Sequence, residues 1–462
     1  WQGWREHLVL GVGMENFNIV FNKNFPPIIY EDEGSQVWFD RAHNVIFDRG
    51  VTTGALGLAI YLAFLFYPGW LFFKVYRDNP QKRNAAIIFL ALIVAYFIQD
   101  LFIFETIVTY VLLFFTMAFF AAVVLPKSAV DAPTPDRKLI YGITAVIYAV
   151  LLGPILWAVN FLPAKANLAA AAALRIEEKA ENFFPITEQY KKVLELGTYG
   201  KKEYRVKYID FVGWQLANLG AVSEAVKPVV ADADEQVARQ LAEFPYDAKN
   251  WLLAMRHYNY TYAVDPATKI QRLEKALSFF EKLKDLTPTR PHIYQEAGYT
   301  HLYLARTYRE QNQLALADEH FNDAEAMFNQ AVALNPRVIE SFTNLMMLYL
   351  DRGQEEKVPE LINRMRELKV LGNDDVFLAR AADLAKTSER FLSVAYLSQE
   401  RINLNASNVG AWIDLALSYA YRGQKAKAIE TANKIRSFGD AYATQVETFI
   451  KNVNSGVYNQ KR

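Results

Sequence analysis

The sequence predicts an all-α protein in which polytopic membrane helices precede a soluble α-solenoid. Two observations predict this class. Long apolar runs are concentrated in residues 52–162, and a motif repeats at an offset of 70 residues in the soluble-type sequence that follows. Lys plus Arg and Asp plus Glu both number 50, and cysteine is absent. The balanced charge gives no sign of a nucleic-acid partner, and the lack of cysteine excludes a disulfide framework and thiolate chemistry.

Four stretches are long and apolar enough to cross a membrane, which requires roughly 20 mainly apolar residues. They comprise residues 52–73, 85–104, 106–125 and 140–162. The loop of residues 74–83 is basic, and the loop after the third stretch carries Lys127, Arg137 and Lys138. Since short basic loops stay on the cytoplasmic side, both loops are predicted to be cytoplasmic.

Counting the crossings divides the chain into three segments. Residues 1–51 form an exoplasmic loop and motif segment, residues 52–162 form four transmembrane helices, and residues 163–462 form an exoplasmic helical domain. The predicted location is the inner cell membrane, with the helical domain on the periplasmic or extracellular side. The chain opens inside a motif at Trp1, without the features of a signal peptide, so we expect it to be the C-terminal part of a longer protein.

A histidine motif lies at the outer edge of the first span. His43 and Asn44 are followed by nine residues and then by the sequence GALG, which contains Gly54 and Gly57. In a helix that starts just before the motif, His43 and three glycines share one line, because each residue turns about 100°. Such a strip lets another helix or a lipid chain approach the backbone closely. The alternative is a small-residue packing seam beneath an interfacial histidine.

This motif resembles the signature of the O-antigen ligase and polymerase family, which is His-Asn, nine residues and Gly-x-x-Gly. Residues 4–17, WREHLVLGVGMENF, are similar to the family's Arg and Gly-x-Gly-x-x-x-Phe lead into a large exoplasmic loop. Residues 95–105, AYFIQDLFIFE, are similar to its penultimate span, which ends in a polar Gln-Asp pair. The resemblance covers about residues 1–125.

The resemblance implies metal-independent glycosyl transfer in bacterial cell-envelope polysaccharide biosynthesis. The donor is a glycan on undecaprenyl diphosphate, and the acceptor is a hydroxyl of a glycan, lipid or protein. The protein is also expected to contact membrane lipids. No cofactor is implied. The family includes O-antigen ligases, O-antigen polymerases and protein O-oligosaccharyltransferases, and the motif does not choose among them.

Three residues are predicted to be catalytic. Histidine is the side chain best suited to accept a proton at neutral pH, so His43 is a candidate base or a group that orients the acceptor, and Asn44 is expected to position it. Arg5 occupies the place of the arginine that precedes the loop in the family pattern. It is predicted to contact the diphosphate of the donor, since a planar guanidinium suits phosphate oxygens.

Five residues are predicted to bind substrate: Arg41, Arg49, Asp100, Gly54 and Gly57. For both arginines the alternative is a solvated interfacial side chain. Asp100 is expected to orient His43 or Arg5 from a neighbouring helix, and the alternative is a snorkelling residue at a helix end.

No metal site is predicted, since four histidines of the soluble part lack the spacing of metal ligands. They are His257, His292, His301 and His320. No phosphate loop and no nucleophile elbow occur in the sequence either.

Residues 345–365 and 415–435 align without gaps at the offset of 70 residues, and both contain Arg-Gly-Gln. Residues 286–308 are a looser copy followed by an insertion. Seventy is close to twice the 34 residues or so of a tetratricopeptide unit, so this region resembles that family. The resemblance implies stacked helix pairs from about residue 185 to 455 and a concave surface for a protein partner. A membrane-anchored tetratricopeptide scaffold without catalysis is therefore the alternative to an enzyme.

Overall fold

The computed structural model describes residues 1–30, 38–124, 137–219, 224–372 and 375–458. Every regular element in these ranges is helical, which confirms the all-α class. The predicted span end at residue 125 and the loop charge Lys127 lie outside the described residues.

The helices divide into two compact units, and each unit is built from separated stretches of chain. The first unit comprises Trp1–Phe25, Val37–Lys269 and Ser278–Thr289. The second unit comprises Pro26–Gln36, Ile270–Leu277 and Arg290–Arg462.

The first unit begins with two short helices and continues with the apolar ones. Their bounds are α1 (Gln2–Glu6), α2 (Phe17–Lys23), α3 (Val45–Asp78), α4 (Arg83–Asp100), α5 (Ile107–Val124), α6 (Arg137–Leu156) and α7 (Leu162–Arg175). A π-helical turn at Trp157–Phe161 joins α6 to α7, so the two continue as one rod. A proline within α6, Pro154, lies just before this turn, where it removes a main-chain donor from the helix.

In the part of the chain that the structure describes, three helical segments are long and apolar enough to cross a membrane: Val45–Asp78, Pro80–Asp100 and Ile140–Arg175. They correspond to the first, second and fourth predicted spans. The third predicted span is a shorter apolar helix, Ile107–Ala122 within α5. None of the most apolar window of Ile140–Arg175 is buried by protein. A helix that is apolar all round and uncovered by protein is suited to a lipid environment.

The helices α3, α4 and α5 share one apolar core, made of Leu65, Phe72, Phe89, Ile93, Leu113 and Phe120. The rings of Phe72 and Phe120 meet edge to face, with centroids 3.8 Å apart. Such an aromatic pair contributes about 0.5–1.5 kcal/mol beyond its burial. The packing fixes the ends of these three helices relative to one another, and polar residues gather at one of those ends.

Polar helices complete the first unit, and further polar helices form the second. The polar helices of the first unit are α8 (Phe183–Glu195), α9 (Lys201–Leu219), α10 (Lys227–Glu243), α11 (Ala248–Thr261) and α13 (Phe280–Leu286). The helix α12 (Lys269–Leu277) lies almost wholly in the second unit. The remaining bounds are α14 (Pro291–Glu310), α15 (Leu314–Leu334), α16 (Ile339–Arg352), α17 (Lys357–Glu367), α18 (Val376–Thr387), α19 (Phe391–Leu404), α20 (Val409–Tyr421), α21 (Lys425–Arg436) and α22 (Ala443–Ser455).

Successive helices of the second unit pair across short turns. The helices α14 to α19 share one large apolar core, and α19 to α22 pack through smaller separate clusters. The first helices of the two aligned copies both lead into a left-handed glycine: Gly353 caps α16 directly, and Gly423 follows Arg422, the cap of α20. The offset of 70 residues is therefore a structural repeat, and the prediction of stacked helix pairs is confirmed. The looser copy is the longest pair, α14 and α15.

Candidate functional site

The polar residue Asn44 determines where α3 begins. Its Oδ1 accepts hydrogen bonds from the main-chain N–H groups of Ile46 at 3.0 Å and Phe47 at 3.2 Å. Such an N-cap contributes about 1 kcal/mol to helix stability. Its Nδ2 donates to the carbonyl of Leu101 at 3.0 Å, which ties the start of α3 to the end of α4. The prediction of a helix that already contains His43 is wrong, because the cap places His43 outside α3.

His43 is exposed and lies between two aromatic rings. Its ring centroid is 5.2 Å from that of Phe104 and 6.3 Å from that of Phe39. The guanidinium carbon of Arg41 lies 5.9 Å from the centroid of the same Phe104 ring. Within the described residues the imidazole has no hydrogen-bond partner. An imidazole and a guanidinium thus meet at one aromatic side chain, and the imidazole is free to receive a substrate.

Two arginines of this region remain at the surface. Arg41 forms an ion pair with Glu15, whose side chain is 70% exposed. Burial lowers the pKa of Arg41, but the hydrogen bond and charge of Glu15 outweigh it and leave that pKa raised. Arg5 lies exposed on α1, and no acidic partner for it occurs in the described part of the chain. Both cations are therefore accessible to an anionic ligand.

The helix α3 is broken at Gly54, where φ is 68° and ψ is −174°. The loop of residues 8–13 crosses the break and pairs with its main chain on both sides. The hydrogen bonds run from Val12 N to Val51 O (3.0 Å), Gly13 N to Thr52 O (2.8 Å), Ala55 N to Leu8 O (2.7 Å) and Leu56 N to Val9 O (3.3 Å). Irregular backbone at membrane depth needs such internal partners, since lipid offers none.

The glycine strip is covered by the chain itself. A Cβ atom at Gly50 would lie 2.6 Å from the ring of Trp4, and one at Gly54 would lie 2.2 Å from the carbonyl oxygen of Val9. At Gly57 the nearest atom is Cβ of Thr53, also at 2.2 Å. The strip is therefore the small-residue packing seam that was the alternative, because Trp4 of α1 covers it at Gly50 and the loop of residues 8–13 covers it at Gly54.

A buried polar cluster lies beside the break. Its members are Asp48, Arg49, Tyr61, Tyr96, Asp100, Glu105 and Tyr110. The guanidinium of Arg49 hydrogen-bonds Glu105 and Tyr110 and packs over the ring of Tyr61, 5.3 Å from its centroid. The hydroxyl of Tyr110 donates to Glu105 at 2.5 Å. The alternative of a solvated Arg49 is wrong, since its side chain is only 12% exposed.

Asp100 is fully buried in this cluster, so a snorkelling side chain is excluded. Its Oδ2 accepts a hydrogen bond from the hydroxyl of Tyr61 at 3.0 Å, and its Oδ1 has no partner among the described residues. The expected contact with His43 or Arg5 is not formed. Asp100 acts instead on its neighbours in the cluster, where three carboxylates face the guanidinium of Arg49 and the nearby charge of Arg41.

A groove of about 210 Å³ lies between α4 and α5, one turn from this cluster. Five of its eight lining residues are apolar, and the polar ones are Tyr96, Gln99 and Thr116. Tyr96 also donates to Glu105 at 3.1 Å, so the groove opens next to the cluster. An extended hydrocarbon chain suits such a lining.

The second unit holds a short segment, Pro27–Tyr30, which forms one 3₁₀ turn at Pro27–Ile29 and is extended only at Tyr30. The Nδ2 of Asn335 donates to the carbonyls of Pro27 at 2.9 Å and Tyr30 at 2.6 Å. The Tyr30 hydroxyl donates to Gln295 at 2.9 Å, and the Tyr30 ring lies 5.9 Å from that of His292. The helices of this unit thus hold the turn through two of its main-chain carbonyls and through the Tyr30 side chain.

The same unit contains a cluster that the sequence spacing did not indicate. His301, His320 and Asp323 each present a ligand-type atom, and these atoms lie within 4.8 Å of one another. The sequence feature that could have indicated this cluster is the turn between α14 and α15, which brings residues equally far from it on the two helices together. His301 lies eleven residues before Asn312, which has a positive φ of 59°, and Asp323 lies eleven residues after it.

No protein-family profile and no curated protein matches the sequence. Among solved structures, a monomeric mutant of IFIT1 with m7Gppp-AAAA is 15% identical, with a TM-score of 0.24, over 76% of this chain and 89% of that chain. The human IFIT1 dimer with PPP-AAAA is 14% identical, with a TM-score of 0.23, over 80% and 94%. Yeast Tom70 is 14% identical, with a TM-score of 0.23, over 86% and 87%.

Proposed function

We propose that the protein is a membrane glycosyltransferase of the O-antigen ligase type. It moves a glycan from an undecaprenyl-diphosphate carrier to an acceptor hydroxyl of a glycan, lipid or protein on the exoplasmic face. The observation that carries the proposal is the break of α3 at Gly54, about three turns from His43 and beside the buried polar cluster. A helix that only anchors a protein needs neither feature, and discontinuous membrane helices are typical of binding sites.

The chemistry follows from the side chains around Phe104. In the proposed step the acceptor oxygen forms a bond to the anomeric carbon of the donor, and the bond from that carbon to the diphosphate oxygen breaks. His43 takes the hydroxyl proton, a role that contributes about 10²- to 10⁴-fold in rate. Arg5 and Arg41 hold the departing diphosphate, since both are accessible. The groove between α4 and α5 takes the start of the isoprenoid chain.

Arg49 is assigned a different role from the one the sequence indicated. Its pairing with Glu105 leaves little of the guanidinium for a phosphate, so we propose that it holds α3 against the α4–α5 turn. Asn44 positions His43 through the main chain, because its side chain is used by the cap and by Leu101.

The test is glycan transfer by the full-length protein in membranes that contain the lipid-linked donor. His43→Gln is expected to lower kcat by about 10²- to 10⁴-fold, and Arg5→Ala is expected to raise KM for the donor. The matched controls are His7→Gln, an exposed histidine on the same segment, and Arg77→Ala, an exposed arginine at the other end of α3. Unchanged transfer in both His43→Gln and Arg5→Ala, with normal membrane insertion, overturns the proposal and leaves the non-catalytic scaffold.

A further inference from the structure

Three metal-ligand side chains meet in the middle of the α14–α15 helix pair. The Nδ1 atoms of His301 and His320 lie 3.0 Å apart. The Oδ2 atom of Asp323 lies 3.6 Å from the former and 3.9 Å from the latter. These atoms come from two facing helices, and no other function described above uses them.

We propose that His301, His320 and Asp323 form a binding site for a divalent transition-metal ion, with Zn²⁺ as the preferred occupant. The three distances define a triangle, and a point about 0.7 Å above its plane, where a tetrahedral ion lies, is about 2.2 Å from all three corners. Zinc bonds measure about 2.0–2.1 Å to histidine nitrogen and about 2.0–2.2 Å to carboxylate oxygen. The side chains can therefore hold the ion with little movement. Imidazole with a carboxylate is also the ligand chemistry that Zn²⁺ accepts, whereas Ca²⁺ and Mg²⁺ prefer oxygen alone.

The helices orient the ligands in advance. His320 and Asp323 are three residues apart on α15, so they share one face of that helix. The ring of Tyr308 stacks on that of His320 at a centroid distance of 5.4 Å and an angle of 8°, which fixes the imidazole plane. Glu274 and Glu319 lie close enough to Tyr308 to interact with it electrostatically. Their negative charge favours a cation at this position.

The proposed ion joins the two helices and keeps one coordination position for water. Three protein ligands leave the fourth position of a tetrahedral ion open, and the Asp323 side chain is 47% exposed to solvent. An ion that binds the folded helix pair and not the unfolded chain stabilises the fold by mass action. The site is independent of the proposed glycosyl transfer.

The direct alternative is a hydrogen bond between the two histidines, in which one neutral imidazole donates its Nδ1–H to the Nδ1 of the other. The two readings separate when the full chain, purified in detergent and stripped with EDTA, is titrated with ZnCl₂ and with CoCl₂. Calorimetry measures the stoichiometry, Co²⁺ absorbance in the visible range reports nitrogen and oxygen coordination, and thermal unfolding reports stabilisation.

One Zn²⁺ per chain is expected, together with a raised unfolding midpoint. His301→Gln, His320→Gln and Asp323→Asn should each weaken Zn²⁺ binding at least about 100-fold, beyond the 10- to 100-fold typical of outer-sphere partners. His7→Gln removes a histidine elsewhere and should leave binding unchanged. The EDTA-treated variants are compared by circular dichroism, so that lost binding is not confused with lost folding. A Zn²⁺ Kd weaker than about 100 μM in the unsubstituted chain, or binding that the three variants leave intact, overturns the proposal.

Discussion

Substitution of the glycine at the break in α3 tests how the loop of residues 8–13 is held. In Gly54→Ala the new Cβ meets two main-chain groups, the carbonyl oxygen of Val9 at 2.2 Å and the amide nitrogen of Gly11 at 2.6 Å. Neither group can rotate away as a side chain can. The φ of 68° with ψ near 180° is also a conformation that only glycine adopts readily, at a cost of about 1–3 kcal/mol for other residues.

The expected loss of free energy of unfolding follows from the hydrogen bonds that the substitution would break. If the loop moves away from the new methyl group, the hydrogen bonds that Leu8 and Val9 accept from α3 are lost, each worth about 0.5–1.5 kcal/mol. Together with the backbone cost, the free energy of unfolding should fall by about 2–6 kcal/mol. The assay is SDS-induced unfolding of the purified protein in mixed micelles.

Gly69→Ala provides the matched control within the same helix. A Cβ there lies 3.7 Å from Leu90 Cδ1, which is ordinary van der Waals contact. The control should leave the free energy of unfolding unchanged or raise it slightly, by up to about 1 kcal/mol, since alanine favours helix. If the two variants unfold with the same free energy to within about 0.5 kcal/mol, the loop does not seal the break as described.

Three further perturbations have defined outcomes. Arg49→Ala leaves Glu105 buried without its cation, so the free energy of unfolding should fall by about 3–5 kcal/mol. The double variant Arg49→Met with Glu105→Gln leaves no unpaired charge and should lose less. Equal losses in the two variants would contradict the buried ion pair. Asn335→Ala removes two hydrogen bonds to Pro27–Tyr30, so proteolysis of that segment should accelerate about tenfold or more while the helix pairs stay folded, and an unchanged rate would contradict the contact. Burial raises the pKa of Asp351, but hydrogen bonds from two arginines outweigh it and lower that pKa below its usual value. The stabilisation is therefore complete above about pH 4 and lost as the pH falls through the lowered value; thermal unfolding should show a smaller acid-induced loss for Asp351→Asn, and identical pH profiles would refute the linkage.

The sequence predicted the helical repeat well because its signals are local. The Arg-Gly-Gln copies mark the end of one helix and the start of the next, and the left-handed Gly353 and Gly423 hold the same place in both. The apolar spans were predictable for the same reason, since length and composition suffice. The helix of the span predicted at residues 106–125 is described from Ile107 to Val124, where the described residues end.

The sequence indicated which residues belong to the candidate site, but it did not indicate which contacts those residues make. Asn44 was taken as a partner of His43, although asparagine ahead of an apolar helix is a strong cap signal. Gly54 was expected within a continuous helix, because nothing local shows that the loop at Gly11 and Gly13 would pair with it. The position of Arg49 depends on Glu105, which lies 56 residues away. Contacts of that range follow from tertiary packing and leave no periodic trace in the sequence.

The segment Pro27–Tyr30 constrains how the chain is made. Tyr30 and the asparagine that binds its carbonyl are separated by 305 residues, so ribosomes moving at about 5–20 residues per second deliver the partner about 15–60 s later. During that interval the early segment lacks the two hydrogen bonds that Asn335 gives it in the folded unit. A fragment that starts at residue 290 lacks the segment altogether and should expose a vacant peptide-binding surface. Supplying residues 24–32 as a synthetic peptide would then complete it in trans.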